Sequence, residues 1–287
     1  MLIGYDSLAG YLEDSYYMGA TIGRFANRIA DASFTIDRKT FHLEANDGNN
    51  TNHGGFSGFH NKVWQWEELP DGIRFSLYSP DGEGGFPGNI RVITDYRFNE
   101  DNELSVRHYA ETDCATYINM TNHAYFNLCG KGKKITEHRL HIPADRILDT
   151  TPAFIPTGKR MNVKNTPFDF TSLKPIGTDL YADHEQLLWN KGYNHCYILK
   201  DEISVEMLEA ASLYEPVTGR NMTVMTDLPA VLLYTAGYYE RPDTAVCLET
   251  QFYPDTPSHS DFPSCLVLPE KAYEHCTLFH FQVQKEE

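Results

Sequence analysis

Period-two alternation of apolar and polar residues is the feature that most limits how this chain can fold. In residues 90–98 (IRVITDYRF), Ile90, Val92, Thr94, Tyr96 and Phe98 fall on one side. In residues 104–110, Leu104, Val106 and His108 do the same, and 73–80 (IRFSLYSP) follows the same rhythm. A strand points successive side chains to opposite faces, so this is the signature of sheet with one covered face. Turn residues separate the runs: Asp71-Gly72, Asp81-Gly82, the cluster Gly84-Gly85-Phe86-Pro87-Gly88, and Asn99–Asn102, which reads as a hairpin turn. Only the stretch near Asp183–Asn190 suggests a short helix. Without long helices alternating with strands, a doubly wound parallel sheet is disfavoured. Aromatics at 13% of residues suit strands. The expectation is an all-β chain, a large and mainly antiparallel β-sandwich, forming one domain over residues 1–287.

Charge narrows the function. The formal net charge is -16, which repels phosphate backbones and argues against nucleic acid as a partner. No apolar run approaches the roughly 20 residues that span a bilayer, so no membrane partner is expected. The first residues lack the basic and apolar regions of a secretory signal. Six scattered cysteines with no C-x-x-C pair read as reduced thiols of a cytoplasmic protein.

Four stretches carry candidate chemistry. In 117–126 (YINMTNHAYF), read as one strand, Tyr117, Asn119, Thr121, His123 and Tyr125 share a polar face. That face is either solvated, as polar strand faces commonly are, or lines a polar cleft. In 245–251, Glu249 shares a face with Cys247 and Gln251. It is a plain surface carboxylate, or one whose desolvation would suit it to act as a general base. Asn52-His53-Gly54-Gly55 is a tight turn or a close backbone approach to a ligand. Arg24 and Arg28 either pair with surface carboxylates or clamp sugar hydroxyls. Twelve histidines are present, but their spacing does not suggest convergent ligands, so no metal is expected. No glycine loop followed by Lys and Ser/Thr offers a phosphate cradle.

Taken in order, the segments GATIGRFANRIA (19–30), NHGG (52–55), SPDGEGGFPG (79–88), NMTNHAYFNLCG (119–130), GYNHCYIL (192–199) and CLETQFYPD (247–255) resemble the galactose mutarotase (aldose 1-epimerase) family, and the resemblance runs along essentially the whole chain. It implies a β-sandwich with a sugar cleft on one sheet and no cofactor. It also implies an isomerase that interconverts the α and β anomers of a free monosaccharide, galactose or glucose. By the same resemblance, Glu249 is the catalytic base and His123 the catalytic acid, with a histidine near its ordinary pKa. His53 and Arg28 hold sugar hydroxyls and the ring oxygen, and Asn27 assists beside Arg28. Two positions depart from the family pattern. Asn194 stands where an Asp is usual, and Leu232 where a polar or aromatic residue is common. Early strands usually precede the segment beginning here at Leu2; either they are missing or the start was placed late, and their loss would leave sheet edges exposed. Two alternatives stand beside this reading: a carbohydrate-binding or regulatory protein without turnover, and an epimerase of a hexose 6-phosphate. The latter would want a cationic cluster, and Lys plus Arg total 24 against 40 Asp plus Glu.

Overall fold

A computed structural model describes residues 1–284. Two antiparallel sheets dominate. The larger has nine strands in the order Lys174–Pro175, Arg139–His141, Leu208–Glu215, Arg220–Thr226, Tyr273–Val283, Glu103–Thr112, Ile90–Phe98, Gly72–Ser79 and Gln65–Leu69. The smaller has five, ordered Pro156–Asn162, Arg146–Thr150, Asn194–Ile198, Ala230–Tyr234 and Cys247–Gln251. The expected hairpins are present. Ile90–Phe98 pairs with Glu103–Thr112 across the Asn99–Asn102 turn, and Gly72–Ser79 pairs with both neighbours in the meander. A short helix, Glu185–Asn190, lies where helical character was expected. All six cysteines are free thiols, and no helix among the described residues is long and apolar enough to cross a membrane.

The main core forms between the two sheets. Val106, Leu213, Met222, Val224 and Phe279 come from the large sheet, and Ile147, Tyr197, Val231, Leu233 and Leu248 from the small one. Strand alternation then decides what the small sheet shows on its other face. With Val231, Leu233 and Leu248 turned into the core, Leu232, Tyr234, Cys247 and Glu249 must point away from it. Register reinforces this, because Leu232 pairs with Glu249, and Tyr234 with both Cys247 and Asn194.

The stretch 117–126 is not one strand. It forms three two-residue pieces, each with a different partner. Thr116–Tyr117 pairs with Leu266–Val267, Thr121–Asn122 with Thr21–Ile22, and Tyr125–Phe126 with Leu2–Ile3. Residues that switch partners this often close a seam rather than extend a ladder. Their polar groups are consequently buried: Asn119, Thr121 and His123 are all nearly inaccessible. The solvated-face alternative for this stretch therefore does not hold.

Candidate active site

The open face of the small sheet is the floor of a cavity of about 170 Å³. Asn27, Arg28, His53, His123, Asn194 and Glu249 all line it, so the six site residues that the family resemblance implied converge there. Leu232 lines it as well. Arg24 does not belong. Its buried guanidinium donates to Ser79 Oγ at 2.8 Å and to the carbonyl oxygens of Pro80 (2.7 Å), Pro87 (3.0 Å) and Gly88 (2.9 Å). It is the pin that holds the glycine-rich 79–88 loop, since five fixed donors suit a ring of carbonyls.

Glu249 lies on the floor, on the outermost strand of the small sheet, and is 1% exposed. Neither of its carboxylate oxygens has a hydrogen-bond partner. Its Oε1 lies 3.6 Å from Nε2 of His123. Burial beside groups such as Leu232 pushes the Glu249 carboxyl up to about 8, with Arg28 pulling weakly the other way. Burial likewise pushes His123 down to about 4. This corrects the expectation of a histidine near its ordinary value: desolvation outweighs the upward pull of a backbone hydrogen bond and of Asp14. Between those two values the pair holds a single proton, which the two groups share as a unit. The second ring nitrogen of His123 lies 3.7 Å from Cys247 Sγ, a weak partner that suits either tautomer.

His53 is set by its neighbours. Gly54 has φ +82°, and a Cβ there would collide with the Gly23 carbonyl, so the NHGG turn can press against the 23–28 segment only with glycine in place. The close approach lets the Asn27 backbone N–H donate to His53 Nδ1 at 3.2 Å. A neutral imidazole accepting at Nδ1 carries its proton on Nε2 and presents a donor. Burial, with His123 and Arg28 adding to it, holds His53 well below its ordinary pKa, so it stays neutral. The Asn27 side-chain oxygen also accepts from the Arg28 backbone N–H at 2.8 Å, and Arg28 Nε donates to Asp47 at 2.7 Å. The Arg28 guanidinium also rests 4.7 Å from the Phe154 ring centroid.

Ligand atoms of His53, His123 and Glu249 lie within 4.8 Å of one another, the spacing of a possible three-ligand cation site. The tautomer imposed by Asn27 places a hydrogen on His53 Nε2, which must be lost for that nitrogen to ligate. The trio therefore fits a neutral, hydroxyl-bearing ligand better than a metal.

Of the aromatic walls, sequence reasoning singled out Tyr125 alone. Tyr16, Tyr17, Tyr125, Tyr234 and Tyr238 line the cavity. Their ring faces suit the C–H faces of a sugar, but only the folded chain shows which of the 18 tyrosines take part.

Fold and site together define a class: an antiparallel β-sandwich whose smaller sheet carries a carboxyl–imidazole pair on the floor of a small polar cleft walled by tyrosines. The aldose 1-epimerase family profile matches residues 1–280, and the chain belongs to that family. It is 37% identical to the galactose mutarotase of Bos taurus over 297 aligned residues, which cover 99% of this chain and 84% of that protein. It is 34% identical to the aldose 1-epimerase of Escherichia coli K12, covering 98% and 84%. Among solved structures, an aldose epimerase homologue from C. elegans superposes with a TM-score of 0.89 at 26% identity, covering 98% of this chain and 87% of that one. Galactose 1-epimerase from Lactobacillus acidophilus does so with 0.87 at 27%, covering 99% and 85%.

Proposed function

We propose that this protein is an aldose 1-epimerase. It interconverts the α and β anomers of a free aldose through the Glu249–His123 pair, in a single domain and without a cofactor. The observation that carries this reading is the unpartnered Glu249 carboxyl, 3.6 Å from the His123 ring at the base of a sugar-sized cleft. A binding protein gains nothing from a buried carboxyl with no partner, which costs stability. An acid–base enzyme needs one.

The reaction requires the C1 hydroxyl to lose a proton while the ring oxygen gains one. At rest the pair's proton is on Glu249, whose carboxyl is pushed up to about 8, while His123, pushed down to about 4, is neutral; moving that proton from Glu249 to His123 Nε2 gives the ionic arrangement, with Glu249 a carboxylate and His123 an imidazolium. Glu249 takes the C1 hydroxyl proton, the electron pair forms the C1 carbonyl, the bond from C1 to the ring oxygen breaks, and that oxygen takes the His123 Nε2 proton. The open chain turns about its C1–C2 bond and closes on the other carbonyl face by the reverse steps. Protons balance at every stage, and the pair begins and ends with one. His53 Nε2–H and Arg28 donate to sugar oxygens, and Asn194, on the floor beside Tyr234, contacts another hydroxyl. Assistance of this kind contributes about 10²–10⁴-fold, enough for a reaction that water already performs slowly. Arg28 is the single cationic side chain among the cavity's lining residues and is already paired with Asp47, which argues against a phosphorylated sugar.

Polarimetry of freshly dissolved α-glucose and α-galactose tests the proposal. Acceleration of the approach to equilibrium is expected. No acceleration with any aldose would overturn the assignment in favour of a binding role.

A further inference from the structure

We propose that Tyr17 is a positioning residue for the proton transfer: its ring, together with that of Tyr125, supports the His123 imidazolium in the ionic arrangement of the pair. This rests on the proposed epimerase reading and extends it to a residue that no sequence motif marks. Both tyrosine rings lie close to parallel with the imidazole. Tyr125 is 5.1 Å away at an interplanar angle of 26°, and Tyr17 is 5.8 Å away at 30°. A cation within about 6 Å of an aromatic face is attracted by its quadrupole, most strongly where water is excluded. His123 is 4% exposed.

Tyr17 is put there at a cost. Its φ is +59°, the left-handed region that a bulky aromatic residue seldom occupies. The surrounding bonds hold it. Asp14 accepts from the N–H groups on either side of Tyr17, Tyr16 at 2.9 Å and Met18 at 2.7 Å, and the Tyr5 hydroxyl steadies the same carboxylate. The turn is then tied to the backbone of His123 itself. Gly19 N donates to the His123 carbonyl at 3.0 Å, and His123 N donates to the Ala20 carbonyl at 2.9 Å. Placement of the ring and placement of the histidine are one construction. The Tyr17 ring also packs 4.5 Å from His53, whose donor tautomer is already fixed from its other side.

Other groups facing His123 are Glu249 and Cys247 from Cys247–Gln251, His53 from the NHGG turn, and Tyr234 at its edge. At longer range Asp14 favours its charge and His60 opposes it. Of these, only His53 and His60 touch the Tyr17 ring, at 4.5 and 4.7 Å between centroids.

The test replaces Tyr17 with phenylalanine and then with phenylalanines of increasing fluorination, which drain charge from the ring face with little change in shape. Tyr17→Phe keeps the ring and is the reference for the series, with a smaller loss of kcat than any fluorinated variant. Along the fluorinated series kcat should fall stepwise, to roughly tenfold lower at the end, a loss larger than any change in KM that comes from the ring's place on the cavity wall. The His123 ring followed by nitrogen NMR in the same proteins should titrate at progressively lower pH, a readout that needs no turnover. Rates and titration indifferent to fluorination would overturn the proposal, as would a full loss at Tyr17→Phe, which would assign the role to the hydroxyl. A loss confined to KM would make Tyr17 a substrate contact instead. Failure of the epimerase reading shows separately, as absence of turnover in the unmodified protein.

Discussion

Replacing Glu249 with glutamine should make this protein more stable, and by an amount that depends on pH. The carboxyl is buried, unpartnered and pushed from 4.5 to about 8. An acid whose pKa is raised by folding contributes no penalty below its unfolded value. The penalty then grows as pH rises from 4.5 towards 8, because the unfolded chain ionises freely and the folded one does not. At 1.36 kcal/mol per pH unit, the cost at pH 7 is roughly 3 kcal/mol, against less than about 1 kcal/mol at pH 5. Glutamine has the same shape and no charge, so Glu249→Gln removes this term. Any cost of burying its amide is the same at both pH values and cancels in the comparison. For a chain of this size about 2 °C accompanies each kcal/mol. The variant's gain in Tm should thus be roughly 5 °C larger at pH 7 than at pH 5. Thermal melts of both proteins at several pH values measure it. A difference flat in pH, or one that shrinks as pH rises, would refute the claim that the carboxyl is desolvated.

The same two groups set the pH dependence of activity. The pair holds one proton between the His123 value near 4 and the Glu249 value near 8, so kcat/KM should be bell-shaped with limbs close to those values, and Leu232→Asn, which wets Glu249, should draw the alkaline limb downward. An alkaline limb that does not respond to Leu232→Asn would show that something else desolvates the carboxyl. Asn194→Asp should lower KM or reorder the aldoses by several-fold, since a hydrogen bond to a charged group exceeds a neutral one by about 1 kcal/mol; unchanged kinetics on every sugar would mean that position 194 does not read the substrate. EDTA should leave the rate unchanged, whereas inhibition reversed by a divalent ion would show that the His53–His123–Glu249 trio holds a metal.

Much of the sheet was legible because strands pairing in simple hairpins repeat with period two. The Asn99–Asn102 turn and the face shared by Cys247 and Glu249 could be read directly from alternation. The segment around His123 could not, since alternation cannot distinguish a ten-residue strand from three short pieces with three partners. Its polar side chains look solvated in sequence and are buried in the fold, and with them went the expectation of an ordinary histidine. Leu232 stood out only as a departure; its effect on Glu249 depends on cross-strand register, which links residues 17 apart. The tyrosine walls come from distant turns, and the left-handed backbone of Tyr17 has no sequence mark such as glycine. Arg24 and Arg28 looked alike, four residues apart, yet one pins a loop and the other faces the cleft.

The central claim is that Glu249 and His123 act as one unit sharing one proton. Anomer exchange of galactose and glucose, measured for the unmodified protein, Glu249→Gln, His123→Asn and the double variant, tests it most directly. Each single change should cost about 10²–10⁴-fold, and the double variant should be hardly slower than either single one, as for residues that work as a unit. Losses that multiply in the double variant, or near-normal exchange in either single one, would contradict the account.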